Sequence, residues 1–579
     1  MLYPISIILK MRKDKAFMTH LTLANVLHAL ARDIEWDMQR QVMDENSPLY
    51  GTYIPLDSGL DDISHGGGTR FLASCGLLVV ARQTHPDMAP ATPATDTLLH
   101  RMSIMADYML KAQRPSGLMD LRSTNYDSPP DTGFVVQLLC ALVELGRGEP
   151  LLADVLAKVE TFIRRAAPGM MTGGFHTPNH RWVIAGALAQ TGTLFPDIDV
   201  RDAVQAYIAE GFDIDAEGTY LERSVGVYDA VTNRSLLLFA DNWHDAGDIA
   251  RAHTAVTENL TFNLHLLHAD ATAETGLSRR QDYGIRSVPV PLIATFLHSN
   301  AISPNPQFVR AAQWLWEKAS SDEVSNLAWQ TYTLLKFGEP APSSASLPDH
   351  FIKHYPINAV WRVRRDQLSA TVFGDVTRLM TLVYGAAELN SLKISQTYFG
   401  VGWFIGDSMR ADGDTAVLRS EGQQKAHRPG YELPTGKPAP RDQWDAINAQ
   451  RDWNPLPPAL SELAITATET GFDLHYHTLD GLDQVAAQIA LDFPAGGLWE
   501  TEDTACTTQP GQVIFLKHGT GQMRFGNDVI EIGPGANAHM YQQMRHAEPP
   551  VPGMCRVLLT FVTPVDHRFF LRVFSGLQP

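Results

Sequence analysis

The chain has 579 residues, of which 46 are basic and 64 are acidic, so its formal net charge at pH 7 is −18. Its 44% of hydrophobic and 19% of charged residues are typical of a folded protein with a large core. The length predicts two or more domains, or one large toroid with a companion domain. The acidic balance argues against a nucleic-acid-binding protein, although a local Arg/His cluster can still bind an anionic ligand.

The N-terminus starts with an apolar run, residues 2–9, and basic residues follow it from Lys10. This order is the reverse of a secretory signal, and no stretch approaches the roughly 20 apolar residues that a spanning helix needs. We therefore expect a soluble, cytoplasmic protein with no membrane partner. The cysteines form no C-x-x-C pair and predict buried thiols rather than a zinc ribbon or a disulfide framework: Cys75, Cys140, Cys506 and Cys555.

Up to about residue 337 the apolar residues recur with helical spacing. Loops rich in Gly, Pro, Asp and His separate the helices, and they include 61–70, 124–132 and 172–180. Many helices joined by polar, aromatic loops predict a helical toroid whose loops gather at one open face. The predicted helices are 21–33, 97–113, 132–146, 151–166 and 307–320.

After residue 340 the pattern changes from helical to alternating. A Pro/Ser-rich linker, 341–352, is followed by β-rich segments that Gly-Asp and Asn-Asp turns separate. The sequence thus predicts an α+β multidomain protein, with an (α/α)n toroid over 18–340 and an antiparallel β-sandwich over 353–579. The predicted β segments are 359–373, 378–384, 461–467, 470–476, 512–516 and 556–562.

Polar residues capable of binding a carboxylate are concentrated in residues 173–182, GGFHTPNHRW, just before an apolar helical run. The backbone N–H groups of a helix start, together with Arg and Asn donors, form a natural carboxylate site. The alternative is ordinary helix capping by Asn179 beside a solvated His-Arg pair. The candidates in this segment are His176, Asn179, His180, Arg181 and Trp182.

A second cluster lies in residues 217–235, EGTYLERSVGVYDAVTNRS. Tyr228 precedes a helical run and would project into a cleft, and a neighbouring Arg223 or Arg234 would lower the pKa of its phenol, as a tyrosine base requires. Both Tyr220 and Tyr228 can instead be packing residues of the inner wall. Glu222 lies in the same stretch.

The third cluster, SRRQDYG at 278–284, is either a substrate clamp that includes Arg280 or a solvated Arg-Asp pair. The glycines of HGGGTR, 65–70, do not form a phosphate loop because the Lys-Ser/Thr ending is missing. They would suit a backbone that approaches a flat ligand closely.

The order of these segments resembles the polysaccharide lyases with a helical toroid and a β-sandwich, namely the chondroitin/hyaluronan/xanthan lyase family and its heparinase II/III-like cousins. Asn179 in TPNHRW is similar to the family's uronate-contacting Asn. EGTY at 217–220 resembles its D-G-S-Y stretch, while its catalytic His position carries Arg223. GWFIGDSM at 402–409 and YELPTG at 431–436 are similar to two short segments of the family's β domain.

The resemblance implies cleavage of uronate-containing glycans by β-elimination, in which a base removes the C5 proton and an acid protonates the departing oxygen. It implies Asn179 and Arg181 as carboxylate neutralisers, Tyr228 as base or acid and His180 as its partner. The residues expected to bind substrate are His176, Trp182, Glu222, Arg223, Arg234, Asp131, Arg280, Trp403 and Tyr431. Without a secretion signal, we expect imported oligosaccharides as substrates, and the resemblance implies a homodimer.

Two alternatives stay open. A uronate-releasing glycoside hydrolase on the same toroid would need two carboxyl groups about 5–10 Å apart, with Asp131, Glu222, Asp229 and Asp282 as candidates. A non-catalytic carbohydrate-binding protein is the other. No cofactor is expected; His475 and His477 would share one face of a strand, but no third metal ligand is evident.

Overall fold

A computed structural model of the chain describes residues 20–320, 327–398, 401–422, 429–545 and 547–576. The N-terminal apolar run and the basic residues after it lie outside these ranges. Two compact units are present: one comprises the chain up to Leu266 together with Ala271–Leu347, and the other comprises Leu267–Asp270 with the chain from Pro348 onward. They are called the helical unit and the β unit below.

The helical unit alternates buried and amphipathic helices. Its helices are α1 (Leu23–Met38), α2 (Gly68–Thr84), α3 (Thr95–Ala112), α4 (Pro129–Gly146), α5 (Ala153–Thr172), α6 (Pro178–Leu194), α7 (Arg201–Ala209), α8 (Tyr228–Asp241), α9 (Ala246–Leu266), α10 (Leu292–Ile302), α11 (Pro306–Lys318) and α12 (Ala328–Phe337). A hairpin, β1 (Met119–Leu121) and β2 (Asn125–Ser128), precedes α4. Even-numbered helices such as α4 are buried along nearly their whole length, whereas α5 buries one face.

The even-numbered helices form a closed ring within the helical unit. From α2 to α12 each packs against the next, α12 packs against α2, and odd-numbered helices pack outside them. Because inner and outer helices alternate along the chain, the inner helices run in the same direction. Their N-terminal ends, and the polar loops before them, therefore meet at one mouth of the ring.

All three loop predictions were wrong at their ends, and within 172–180 the helix α6 already begins at Pro178. Within 124–132, residues 125–128 form β2 and α4 already begins at Pro129. The reason is local: Pro129 and Pro130 suit a first helical turn, and the Ser128 side chain caps it by accepting a hydrogen bond from the Asp131 N–H. Within 61–70, α2 begins at Gly68.

The β unit contains two large sheets that share one core. The first has the strand order β16-β15-β18-β19-β21-β13-β12-β9-β8 and the second β17-β20-β14-β7-β6-β5-β4-β3, antiparallel except between β17 and β20. The strands are β3 (His350–Tyr355), β4 (Val360–Arg365), β5 (Leu368–Phe373), β6 (Met380–Tyr384), β7 (Ala387–Gln396), β8 (Ser408–Asp412), β9 (Thr415–Ser420), β10 (Gly430–Glu432), β11 (Trp453–Pro455), β12 (Ser461–Thr468), β13 (Gly471–Thr478), β14 (Ala486–Pro494), β15 (Leu498–Thr501), β16 (Ala505–Thr507), β17 (Val513–Phe515), β18 (Gly521–Phe525), β19 (Asp528–Gly533), β20 (Met554–Val562) and β21 (Asp566–Ser575). A short helix, α13 (Trp444–Asn448), lies between β10 and β11.

Alternating apolar residues from both sheets make the core of this sandwich. Leu382 and Leu491 of one sheet and Leu463 and Leu571 of the other belong to the same fully buried cluster. The predicted segment 359–373 is a hairpin, β4 and β5, which turns at Asp366 with a left-handed φ of 51°. Strand β3 begins at His350, inside the segment predicted as linker, because it pairs with β4 along its whole length. The α+β architecture predicted from the sequence is confirmed.

Candidate active site

The start of α6 brings Asn179 and His180 to the mouth of the ring. Pro178 occupies the first helical position and Thr177 is the cap residue, so Asn179 is not the helix cap. Its amide Nδ2 donates to Glu222 Oε2 at 2.6 Å and to Thr177 Oγ1 at 3.3 Å, while its buried Oδ1 has no hydrogen-bond partner. The amide is thus fixed in orientation with its acceptor atom unused.

Asp282 fastens the second and third polar clusters together. Its Oδ1 accepts hydrogen bonds from Ser224 Oγ at 2.9 Å and Ser278 Oγ at 2.5 Å, and its Oδ2 accepts from the Gly226 N–H at 3.1 Å. A side chain at Gly226 would collide with this carboxylate, since a Cβ there would lie 2.8 Å from Oδ2. Asp282 therefore holds the two loops together by hydrogen bonds. The solvated Arg-Asp pair considered for 278–284 does not form.

Tyr228 begins α8 and presents a half-buried phenol at the mouth of the ring. Its backbone N–H donates to Ser224 Oγ at 3.1 Å, and its hydroxyl donates to Gln281 Oε1 at 3.2 Å. The Arg280 guanidinium lies over the ring, 4.5 Å from its centre, and also reaches Glu222 Oε1 at 3.5 Å. Arg280 thereby links the tyrosine to the Asn179–Glu222 pair.

The imidazole of His180 is neutral at pH 7. Burial, together with the nearby His176 and Arg280, lowers its pKa to about 4. Its ring meets the exposed His176 ring edge-on at 4.6 Å, and its Nδ1 has no hydrogen-bond partner. A neutral imidazole with a free nitrogen can accept a proton.

Glu222 carries a carboxyl group whose pKa lies above its ordinary value. Burial is the largest cause, and it outweighs the opposing effects of the Asn179 amide and Arg280. Its side chain is 7% exposed. The raised pKa makes a protonated, hydrogen-bond-donating Glu222 less costly than at the surface.

Sequence reasoning missed His65 and Phe134, which join this group. His65 precedes α2, stacks on Phe134 of α4 at 4.3 Å, and Phe134 touches His180 edge-on at 5.9 Å. Burial first, then Arg234, lowers the pKa of His65 to about 4. The available signal was positional, because His65 lies close to the start of α2, as Asn179 and Tyr228 lie at the starts of α6 and α8.

The glycines after His65 serve packing. A Cβ at Gly67 would lie 2.4 Å from the Asp62 carboxyl group, and one at Gly68 would lie 2.8 Å from Met105 Sδ. Close packing of the turn on α2 and α3 therefore accounts for both residues without a ligand.

Arg181 and Trp182 point away from the mouth. Arg181 binds Asp213 at 3.0 Å and Glu210 at 3.3 Å, and the Trp182 indole donates to Asp213 Oδ1 at 2.6 Å. Trp182 is fully buried, so the prediction that it binds substrate was wrong. The charge of Arg181 is already compensated by two carboxylates.

The carboxylates considered for hydrolysis, Glu222 apart, are buried among their own partners. Asp131 accepts hydrogen bonds from Asn125 Nδ2 at 2.8 Å and Ser128 Oγ at 2.5 Å. Asp229, which accepts from Asn259 Nδ2 at 3.1 Å, has a pKa raised to about 7, mainly by burial. Asp282 accepts the hydrogen bonds from Ser224, Gly226 and Ser278 that are described above.

Of the remaining candidates, Arg223 is half-buried in the loop before α8 with a left-handed φ of 52°. Tyr220 is buried and donates to Asn233 Oδ1 at 2.9 Å, as a packing residue would. Trp403 and Tyr431 belong to the β unit, where they are 40% and 63% exposed.

In the β unit, His475 and His477 do share a face of β13. Their rings stack at 4.7 Å, and His475 Nε2 lies 2.5 Å from Asp566 Oδ1. Throughout the described ranges, no group of three or more His, Cys, Asp or Glu side chains is arranged to hold a metal ion. No helix within those ranges is long and apolar enough to cross a membrane.

Comparisons with known proteins identify the fold. No protein-family model matches the chain, and no curated protein matches it by sequence. Among solved structures, a heparinase III matches with a TM-score of 0.56 and 10% identity, over 96% of this chain and 87% of its own. A chondroitin AC lyase from Streptomyces coelicolor A3, in complex with chondroitin sulphate, matches with a TM-score of 0.51, 12% identity, and coverage of 96% and 80%.

A Paenibacillus xanthan lyase also matches, with a TM-score of 0.52 and 11% identity, over 96% of this chain. The chain spans 57% of that longer protein. These matches establish that the chain has a polysaccharide-lyase-like fold, as the sequence resemblance predicted. At 10–12% sequence identity, these matches show a shared fold only.

Proposed function

We propose that the protein is an enzyme that cleaves uronate-containing glycans by β-elimination at the mouth of the helical ring. The observation that carries the proposal is the Tyr228 phenol, half-exposed at the start of α8 and held between Gln281 and Arg280. Arg280 also contacts Glu222, which accepts a hydrogen bond from Asn179. The charge of Arg280 acts on the nearby His180, whose imidazole is neutral. Proton-transfer groups and carboxylate-binding groups thus occupy one place.

The reaction needs a group that binds the uronate carboxylate and stabilises the enolate that forms when C5 loses its proton. Arg280 supplies a cation, and Asn179 supplies an amide whose orientation Glu222 fixes. A protonated Glu222 would donate a further hydrogen bond. Preorganised donors of this kind are the largest single contribution to such catalysis.

Tyr228 and His180 then carry the proton transfers. Neutral His180, or Tyr228 in its phenolate form, takes the C5 proton, the C5 electron pair forms the C4=C5 double bond, and the C4–O bond breaks with its electrons on the departing oxygen. That oxygen receives its proton from the Tyr228 phenol, which is the original phenol when His180 is the base and the newly protonated one when the phenolate is the base. His180 suits the base role because its imidazole is neutral at pH 7.

Glycoside hydrolysis is the second candidate and needs a pair of available carboxyl groups. Only Glu222, among the four carboxylates considered, contacts Asn179 and Arg280, while Asp131, Asp229 and Asp282 hold structural hydrogen bonds. This arrangement favours elimination. Action on imported oligosaccharides in the cytoplasm, and a homodimer, stay predictions; activity in culture supernatant of the native host would contradict the first.

The test is incubation with uronate oligosaccharides from glucuronan, hyaluronan, chondroitin, alginate and xanthan. Near-ultraviolet absorbance of an unsaturated uronate and new reducing ends are followed in parallel. Both should rise together on at least one substrate. Reducing ends without absorbance would establish hydrolysis and overturn the proposal, and binding without any turnover would favour a carbohydrate-binding protein.

A further inference from the structure

Arg234 is a half-buried cation whose guanidinium has no carboxylate partner among the described residues. It lies on α8, six residues after Tyr228 and therefore about 9 Å further along the helix axis. Its guanidinium stacks over Trp329 of α12, 4.7 Å from the ring centre, and its Nε is buried with no hydrogen-bond partner. In the part of the chain that the structure describes, no Asp or Glu side chain forms an ion pair with it.

The other charges around this position are compensated. Arg234 and Trp329 line a small pocket together with His298 and Tyr332. His298 Nε2 contacts Asp241 Oδ2 at 3.1 Å, and the Tyr332 hydroxyl donates to Glu144 Oε2 at 2.6 Å. Lys336 bridges Asp241 and Glu144 at 2.9 and 3.0 Å. The uncompensated charge of the pocket is therefore that of Arg234.

Further unpartnered nitrogen atoms lie toward the mouth of the ring. The Nδ1 atoms of His65 and His180 are buried without hydrogen-bond partners, and the two rings flank Phe134. Asp131, the carboxylate that acts electrostatically on His65, is held by Asn125 and Ser128. Even partial burial of a charge without a partner costs free energy, so the arrangement favours an anionic ligand as the missing partner.

We propose that Arg234, stacked on Trp329 inside the ring, forms a second anion subsite that binds a carboxylate or sulfate ester on a sugar adjacent to the one cleaved at Tyr228. The inference rests on the proposed function and extends it to substrates with at least two anionic groups. A planar guanidinium suits both anions because it donates two parallel hydrogen bonds to either.

Calorimetric titration of the full-length protein with sodium sulfate, sodium glucuronate and the neutral methyl glucoside tests the subsite. We expect at least one of the two anions to bind while the glucoside does not. R234Q should weaken anion binding at least tenfold, and R234K should retain part of it, because lysine keeps the charge but loses the planar donor pair. The anion that binds more tightly identifies the substituent.

The matched control is R147Q, since Arg147 also lies over an aromatic ring, Phe195, but is paired with Glu160 at the surface. Its affinity for anions should equal that of the unmodified protein. Equal affinity in R234Q, or no binding of either anion, would overturn the proposal. Should R234Q fail to fold, the comparison of R234K with the unmodified protein decides, because unchanged affinity in R234K contradicts a bidentate arginine site.

A thermal-shift measurement distinguishes anion binding by Arg234 from a purely structural role of this residue. The bound anion should raise the unfolding temperature of the unmodified protein and of R147Q, but not that of R234Q. An equal rise in R234Q would contradict the subsite. Both readouts are independent of turnover, so anion binding without cleavage refutes the proposed elimination alone, whereas cleavage without any effect of R234Q on anion binding refutes the subsite alone.

Discussion

Two arginines, one in each unit, differ in how the charge of the guanidinium is compensated. Arg556 of the β unit, 1% exposed, binds Asp492 through Nε at 2.7 Å and Nη2 at 2.8 Å, and it also donates to the carbonyls of Glu548 and Pro549. Arg234 of the helical unit stacks on an aromatic ring and pairs with no carboxylate among the residues that the structure describes. The charge of the first is compensated within the fold, whereas we propose that a bound anion compensates the charge of the second.

The same contrast applies to the mouth of the helical ring. Asn179 Oδ1, His180 Nδ1, His65 Nδ1 and Arg280 Nε are all buried without hydrogen-bond partners. Buried polar groups are normally satisfied, and a cluster of exceptions calls for an explanation. We infer that this cluster is maintained for substrate.

The largest expected effect is on turnover. Tyr228→Phe should lower kcat by about 10²- to 10⁴-fold, the usual contribution of a positioned proton-transfer group, with little change in substrate binding or unfolding temperature. Steady-state kinetics on the cleaved oligosaccharide measures it. Tyr541→Phe, which removes a hydroxyl from an exposed tyrosine of the β unit, should leave kcat unchanged. Unchanged turnover in the Tyr228 variant would remove this residue from the reaction.

The next effect is on stability. Arg556→Leu should lower the free energy of unfolding by about 3–5 kcal/mol, because it leaves Asp492 buried without its partner. Urea denaturation measures this change. Replacing the exposed Arg410, whose nearest carboxylate is 3.7 Å away, with leucine should cost under about 1 kcal/mol. A small loss in the Arg556 variant would contradict the contrast between the two arginines.

For each histidine and each pH unit, the smallest effect is on the pH dependence of stability. His65 and His180 have pKa values of about 4 in the folded protein and an ordinary value of 6.5, so the unfolded chain binds more protons between these limits. Their contribution to stability is therefore complete above pH 6.5 and decreases as the pH falls to 4, by at most about 1.4 kcal/mol per pH unit for each histidine. Replacing both histidines with asparagine should make the free energy of unfolding less dependent on pH between 4 and 6.5.

The control for that experiment is His518→Asn, in the β unit, whose side chain is 74% exposed. Because such a side chain is exposed to solvent in the folded and the unfolded protein, the free energy of unfolding of this variant should change with pH as it does in the unmodified protein. If the double variant kept the full slope between pH 4 and 6.5, the two histidines would not be the buried neutral groups that the structure indicates.

The sequence predicted the change from helices to strands because spacing is a local property. It could not predict that α12 closes the ring on α2, since this contact joins segments far apart in the chain. In the site, polar residues at helix starts pointed to Asn179, His180 and Tyr228. The orientation of Trp182 escaped prediction because its partner, Asp213, lies 31 residues later.

The most direct test of elimination is to run the cleavage in water enriched in oxygen-18 and to measure the masses of both fragments. The account predicts no incorporation of the heavy oxygen at the cleaved bond and a new fragment lighter by one water than its hydrolytic counterpart, because β-elimination consumes no water. One heavy oxygen atom per cleavage would demonstrate hydrolysis and contradict the account.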